Sequence, residues 1–231
     1  MSERESLQEE NTQFATIKWL HFTAAVVFVV QTIVYADLRI DADVTPSIGV
    51  SVGGDCGPIC PSSIKYLQQI NVAFLIPLFT ALAALDHIVC FSVCVWDKHR
   101  AKHYLFVIGS NPVRWAEYSL SASVMAVAVA VLAGVGDVHL WFLVFVMHAV
   151  GMGIGQVMEL LPKNDDLVLW PVRFSSIRSY CFGLSSLCIL APWAVMGCYF
   201  FRAVDADVPA FVYAAFLGTF LLYVAFAVYV L

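Results

Sequence analysis

The stretch Asn111-Pro112-Val113-Arg114-Trp115-Ala116-Glu117-Tyr118-Ser119-Leu120-Ser121-Ala122-Ser123-Val124-Met125 begins an apolar helix and carries an acid into it. Asparagine is a favoured N-cap, and proline suits the next position because the N–H that it lacks has no helical partner there. Glu117, Ser121 and Met125 are four residues apart and therefore share one helix face. That face carries a carboxylate, a hydroxyl and a thioether.

The composition is that of an integral membrane protein. The 231 residues are 61% hydrophobic and 13% charged, whereas soluble domains carry about 25% charged residues. No basic stripe suggests nucleic acid as a partner, and membrane lipid is the expected surrounding. The first 13 residues are polar and acidic, unlike a signal peptide, so the first apolar segment is expected to remain as an anchor.

Six apolar segments are each near or above the roughly 20 residues that a helix needs to span a membrane. They cover about 14–36, 70–96, 112–132, 139–160, 179–201 and 209–231, and an outer loop lies at 37–69. Apolar residues occur all round these segments, whereas the strands of a membrane barrel would alternate. The sequence predicts an all-α, multi-pass transmembrane bundle that forms one domain over residues 1–231.

The distribution of Lys and Arg predicts the orientation. With the N-terminus in the cytoplasm, nine of these residues lie on the cytoplasmic side and three on the outer side. Cytoplasmic loops carry the excess of Lys and Arg, so the N-terminus is predicted to be cytoplasmic. We expect the plasma membrane to be the host.

The outer loop contains Cys56 and Cys60, separated by Gly-Pro-Ile. The outer face permits oxidation, so the pair is either a disulfide across this turn or two free thiols. No histidine lies close in sequence, and a metal site is not predicted. Alternating residues at 48–52 predict a short hairpin over the mouth of the bundle.

Ionisable side chains lie inside the predicted spans, and five of them are singled out. They are His21, Asp86, His87, Glu117 and His148. Ionisable residues inside a membrane are costly, usually face the bundle interior and are functional candidates for that reason.

Structural alternatives exist for these residues. Glu117 either pairs with Arg114, three residues earlier on the same helix, or is a buried functional carboxylate. His21 is either an interfacial residue or a functional group, and His87 is expected to take part in a polar network. His148 is either a bridge between helices through one hydrogen bond or a functional group.

Several of these residues belong to stretches that resemble a known family. Residues 114–125 resemble the third-helix motif of the heliorhodopsins. The further matches, in family order, are His21, His87, the pair Pro192-Trp193, residues 209–213 and residues 226–227. The resemblance extends over nearly the whole chain. It also implies a cytoplasmic N-terminus, in agreement with the count of Lys and Arg.

The resemblance implies a photoreceptor of seven helices that binds all-trans retinal. It implies that Glu117 is the counterion of a protonated retinal Schiff base, since a carboxylate near a cation favours the charged form of each. It implies that Ser121, Met125 and Trp193 line the retinal pocket. A homodimer and a cytoplasmic signalling partner of unknown identity are also expected.

The resemblance also implies that His21 and His87 belong to a polar cavity near the counterion. We assign Asp86 to the same cavity, although it puts a second acid beside His87 where the family is apolar.

The Schiff-base lysine of the family has no match among the 231 residues. The family carries it on the seventh helix, and only six spans are predicted in this sequence. The five lysines, at helix ends or in loops, are Lys18, Lys65, Lys98, Lys102 and Lys163. An imine requires an amine in the pocket. We therefore expect six spans of a seven-helix rhodopsin-like fold, in a form without the last helix.

Two functions from different classes follow. The first is a heliorhodopsin-like light sensor whose output, as the resemblance implies, is conformational and not pumping. In addition, no carboxylate follows Glu117 until Asp137 in the outer loop. The second is a retinal-free scaffold, regulatory or proton-conducting protein that uses Glu117, Asp86 and the histidines. No metal-ligand spacing, nucleophile motif or phosphate loop is found, so an enzyme is not predicted.

Overall fold

Seven α-helices form the bundle in the computed structural model. It describes residues 3–41, 47–52, 63–69, 71–108, 111–161, 167–169, 172–174, 177–202 and 210–230. The helices are α1 Glu3–Asp41, α2 Leu75–Trp96, α3 Lys98–Lys102, α4 Pro112–Leu132, α5 Val138–Leu160, α6 Ile177–Arg202 and α7 Ala210–Val230. A 3₁₀ turn, Val72–Phe74, precedes α2, and a π-helical turn, His103–Ile108, follows α3.

Two short antiparallel hairpins accompany the helices. β1 Ser47–Val52 pairs with β2 Ser63–Gln69, and β3 Leu167–Leu169 pairs with β4 Val172–Phe174. The first hairpin confirms the strand predicted around residues 48–52. Gly49 N–H donates to the Gly136 carbonyl at 3.0 Å, which attaches β1 to the turn between α4 and α5. Cys56 and Cys60 lie outside the described residues.

Five described segments are long and apolar enough to cross a membrane. They are Gln8–Leu38, Val72–Trp96, Pro112–Leu132, Val138–Leu160 and Ile177–Arg202. Helix α7 covers the sixth predicted segment, and its part Val212–Ala225 is apolar. The protein is therefore an all-α, multi-pass integral membrane protein, as the composition predicted.

Local sequence signals account for the starts of several helices. The Asn111 side chain accepts hydrogen bonds from the backbone N–H groups of Val113 and Arg114, and proline occupies the first helical position. The cap predicted from the sequence is therefore confirmed. Asp137 caps α5 in the same way by accepting from the His139 N–H at 2.8 Å.

Helix α1 begins much earlier than the predicted span at residue 14. Its polar first turns are helical because Glu and Gln favour helices and because α3 holds them. Lys102 Nζ lies 2.7 Å from Glu10 Oε1 and 2.9 Å from Asn11 Oδ1. Phe14, four percent exposed, packs beneath Lys98 and Lys102. The contact between α1 and α3 thus extends the first helix into the acidic segment.

The helices pack in sequence order around α4. Helix α1 packs on α2, α2 on α4, α4 on α5 and α5 on α6. Helix α7 contacts α4 through Tyr223, whose hydroxyl donates to the Ala122 carbonyl at 2.7 Å. It contacts α6 through Phe216, which stacks on Phe200 at 4.5 Å between ring centroids. The fully buried Ser123, Ala126 and Ala130 show that α4 is central.

Two glycines allow α5 to approach its neighbours. A Cβ atom at Gly155 would lie 2.7 Å from Cζ3 of Trp115, a side chain that is one percent exposed. A Cβ atom at Gly151 would lie 2.9 Å from Cγ1 of Ile189. Both glycines therefore permit a close approach between helices that a larger residue would obstruct.

We expect Gly155→Ala to destabilise the bundle by about 1–3 kcal/mol, because the buried Trp115 ring must move to make room. Gly153→Ala is the matched control, since nothing lies within 4 Å of a Cβ atom there. Thermal unfolding in detergent, followed by tryptophan fluorescence, measures both. Equal melting temperatures for the two variants would show that Trp115 does not pack on Gly155.

Candidate functional site

A cavity of about 300 Å³ lies between α1, α2, α4, α5 and α7. Its lining residues are His21, Phe28, Phe79, Ala83, Asp86, His87, Arg114, Glu117, Tyr118, Ser121, Ala122, Met125, Met152, Leu222 and Tyr223. Most of the lining is apolar, and a few polar groups converge from α1, α2 and α4. Small-molecule sites have this composition and begin at about this volume.

Six of the residues singled out from the sequence meet in this cavity. They are His21, Asp86, His87, Glu117, Ser121 and Met125. Trp193 is not among the lining residues. Its ring makes an edge contact with Tyr223 at 5.6 Å between centroids, so it lies behind a residue that lines the cavity.

Arg114 pairs with an acid that the sequence analysis did not single out. Its Nη2 lies 2.9 Å from Oε1 of Glu159, at the end of α5. Trp115 Nε1 donates to the other Glu159 oxygen. The ion pair of Glu117 with Arg114, considered from their spacing, is therefore replaced by a pair between helices. Antiparallel neighbours bring the start of α4 level with the end of α5, and this geometry could have indicated Glu159.

Glu117 and Arg114 both line the cavity, but the ion pair of Arg114 is with Glu159 and not with Glu117. The Glu117 carboxylate is half-buried and forms a hydrogen bond with the Ser121 side chain, one turn further along α4. Among the described residues, no ion pair includes Glu117. A carboxylate in an apolar cavity is costly when no cation accompanies it. Either a cation in the cavity or a proton on the carboxyl group would remove this cost.

His21, Asp86 and His87 form a polar group that we term the histidine cluster. The Nδ1 atoms of the two histidines lie 2.9 Å apart and share a hydrogen bond between α1 and α2. Asp86 Oδ2 lies 3.7 Å from Nδ1 of His87. Phe28 stacks on the His87 ring at 5.5 Å and covers it on one side. The network considered for His21 and His87 is therefore present.

His148 lies outside the cavity lining. It is fully buried, and its Nδ1 is 2.9 Å from the Val144 carbonyl of the same helix. Its ring meets the edge of Tyr223 at 5.3 Å between centroids. The hydrogen bond considered as a bridge between helices thus stays within α5, and a ring contact joins α5 to α7.

Within the described part of the chain, no lysine lines the cavity. Lys18 lies over Trp19 on α1, Lys98 and Lys102 surround Phe14, and Lys65 is exposed on β2. Lys163 is outside the described residues. The titratable side chains among the lining residues are therefore two carboxylates, two imidazoles, the Arg114 guanidinium and two phenols, and the described lining includes no lysine amine.

The chain matches a known protein family. The family model described as Heliorhodopsin matches residues 15–231. The matched region contains every residue that lines the cavity. No curated protein matches the chain.

We expect the ion pair of Arg114 and Glu159 to couple α4 to α5. Arg114→Gln and Glu159→Gln should each lower the free energy of unfolding by about 1–3 kcal/mol, because each leaves a partly buried charge without its partner. The double variant should lose less than the sum. Unfolding in detergent, analysed as a double-mutant cycle, gives the coupling energy.

The exposed pair of Asp97 and Arg100, 3.8 Å apart, is the control for this cycle. Exposed pairs contribute about 1 kcal/mol or less. A coupling energy for Arg114 and Glu159 no larger than that of the exposed pair would contradict the role assigned to Glu159.

Proposed function

The chain belongs to the heliorhodopsin family, and on this premise we propose that it is a retinal-binding light sensor that does not pump ions. The observation that carries the proposal is the half-buried Glu117 carboxylate, which forms an ion pair with none of the described residues. Retinal linked to a lysine as a protonated imine is an apolar molecule with one positive charge. The lining of the cavity is mostly apolar, and Glu117 is the lining carboxylate that we assign to that charge.

The lining residues fit the cofactor in chemical character. Met125, Met152 and Phe79 offer apolar surface to a polyene, and Glu117 and Ser121 offer polar groups to its charged end. Bound retinal supplies the absorption of light and the isomerisation that follows it. The protein's own contribution is to hold the carboxylate near the charge and to exclude water from the apolar part.

The amine must come from a lysine outside the described lining. We place it on a helix that packs beside α1 and α7, because both border the cavity and both present apolar surface outward. Leu222 lines the cavity and is still 67% exposed. The α1 side chains Trp19, Leu20 and Ile33 are each more than half exposed.

The proposed output is a conformational change without ion transport. Along α4, Glu117 is followed by no further acid, and Asp137 caps α5 beyond the helix end. No row of carboxylates along α4 would carry a proton from the cavity to the other end of the bundle. We further propose a homodimer in the plasma membrane with a cytoplasmic N-terminus and a cytoplasmic signalling partner.

The test is the visible spectrum of the purified protein with all-trans retinal, alone and with a lysine-bearing helix supplied. We expect a pigment that absorbs beyond free retinal once the lysine is present. In Glu117→Gln, the colour should be lost at a pH lower by about 1–3 units, because the carboxylate no longer stabilises the imine proton. Glu9→Gln, on the exposed start of α1, is the control and should leave this pH unchanged.

The lack of a lysine among the described lining residues favours a second function, a retinal-free protein that conducts protons through the histidine cluster. No colour in either preparation would contradict the light sensor. A proton leak into lipid vesicles that is lost in Glu117→Gln would then support the second function.

A further inference from the structure

We propose that Asp86 is a positioning residue that keeps an extra proton on the His21–His87 pair. The pair then carries one positive charge, and Asp86 neutralises it. This proton is a property of the chain's own side chains and does not depend on retinal. Only its meaning for a ligand rests on the proposed function.

The contact between the two rings suits a shared charge. With 2.9 Å between the Nδ1 atoms, one ring must donate its N–H and the other must accept. In the neutral pair, the donor ring has a bare Nε2 atom. An added proton binds there and leaves the hydrogen bond between the rings intact. No bond breaks, and the pair becomes an imidazolium joined to an imidazole.

Asp86 is held in the orientation that this charge requires. It is buried, and its Oδ1 accepts from the Cys90 thiol at 3.6 Å. The Cys90 sulfur in turn accepts from Asn111 Nδ2 at 3.5 Å, next to the start of α4. Oδ2 is left facing His87 Nδ1 at 3.7 Å. That distance is too long for a good hydrogen bond, so the carboxylate acts on the ring through its charge.

Other titratable groups also face the histidine cluster. Helix α2 adds the Cys90 thiol, α4 adds Arg114, Glu117 and Tyr118, and α7 adds Tyr223. Among the described lining residues, α1 contributes His21 and Phe28 and α5 contributes Met152, so these two helices add no titratable side chain to the lining other than His21 itself.

With the pair protonated, one charge of the cavity has no partner among the described residues. Arg114 is neutralised by Glu159, and Asp86 is neutralised by the protonated histidine pair. Glu117 remains as a single negative charge. A ligand with one positive charge matches this cavity, whereas an uncharged histidine pair would leave two carboxylates beside it.

The experiment is nitrogen-15 NMR of histidine-labelled, retinal-free protein in lipid nanodiscs, titrated with pH. Signals of the pair are assigned by their loss in His21→Phe and His87→Phe. In Asp86→Asn, we expect the imidazolium signal to disappear at a pH lower by about 1–3 units, which is tenfold in proton affinity per unit. Asp86→Glu keeps a carboxylate and should restore most of this shift.

Asp97→Asn is the matched control, because Asp97 follows the same helix but caps α3 beside Arg100. It should leave the signals of the pair unchanged. Unchanged His148 signals report an intact bundle in each variant, and Asp86→Ala is the second neutral variant if Asp86→Asn does not fold. An unaltered titration in the neutral variants would overturn the proposal. A larger shift in Glu117→Gln than in Asp86→Asn would also overturn it, because the proton would then belong with Glu117.

Discussion

The ion pair between Arg114 and Glu159 determines the electrostatics of the whole cavity. Glu159 binds the Arg114 guanidinium with one oxygen and the Trp115 indole with the other. The side chains of Arg114 and Trp115 therefore contact α5, where Gly155 leaves room for the indole ring. Glu117, on the same helix as Arg114, lines the cavity. If Arg114 instead bound Glu117, the cavity would present a neutral pair and no site for a cation.

Periodicity and capping predicted much of this arrangement, because they are local properties of the chain. The cap at Asn111 fixed the start of α4, and a spacing of four residues placed Glu117, Ser121 and Met125 on one face. All three line the cavity. The position of Glu159 was missed because its partner lies 45 residues away in sequence. The nearer candidate, Glu117, has the favourable spacing, but packing of α4 on α5 outweighs a helical pair that contributes about 0.2–0.5 kcal/mol.

Short elements without a periodic pattern could not be predicted from the sequence either. Helix α3 and the β3–β4 hairpin each have too few residues for a repeat of either period to appear. The long first helix was missed for a related reason, since its polar start depends on the contact of Lys102 with Glu10. Trp193 was assigned to the retinal pocket by resemblance. The structure places it in a layer of rings with Phe216, Phe220 and Tyr223, one side chain away from the cavity.

Each charged side chain that is buried in a membrane protein costs free energy unless the fold compensates its charge. An ionised group in an apolar bundle is stabilised by a counter-charge or by hydrogen bonds. Glu159 pairs with Arg114 and accepts a hydrogen bond from Trp115. Asp86 accepts from the Cys90 thiol and lies beside the histidine pair. Glu117 contacts the Ser121 hydroxyl and forms an ion pair with none of the described residues. In the proposed function the charge of retinal compensates this carboxylate, which links the packing of α4 on α5 to the proposed site.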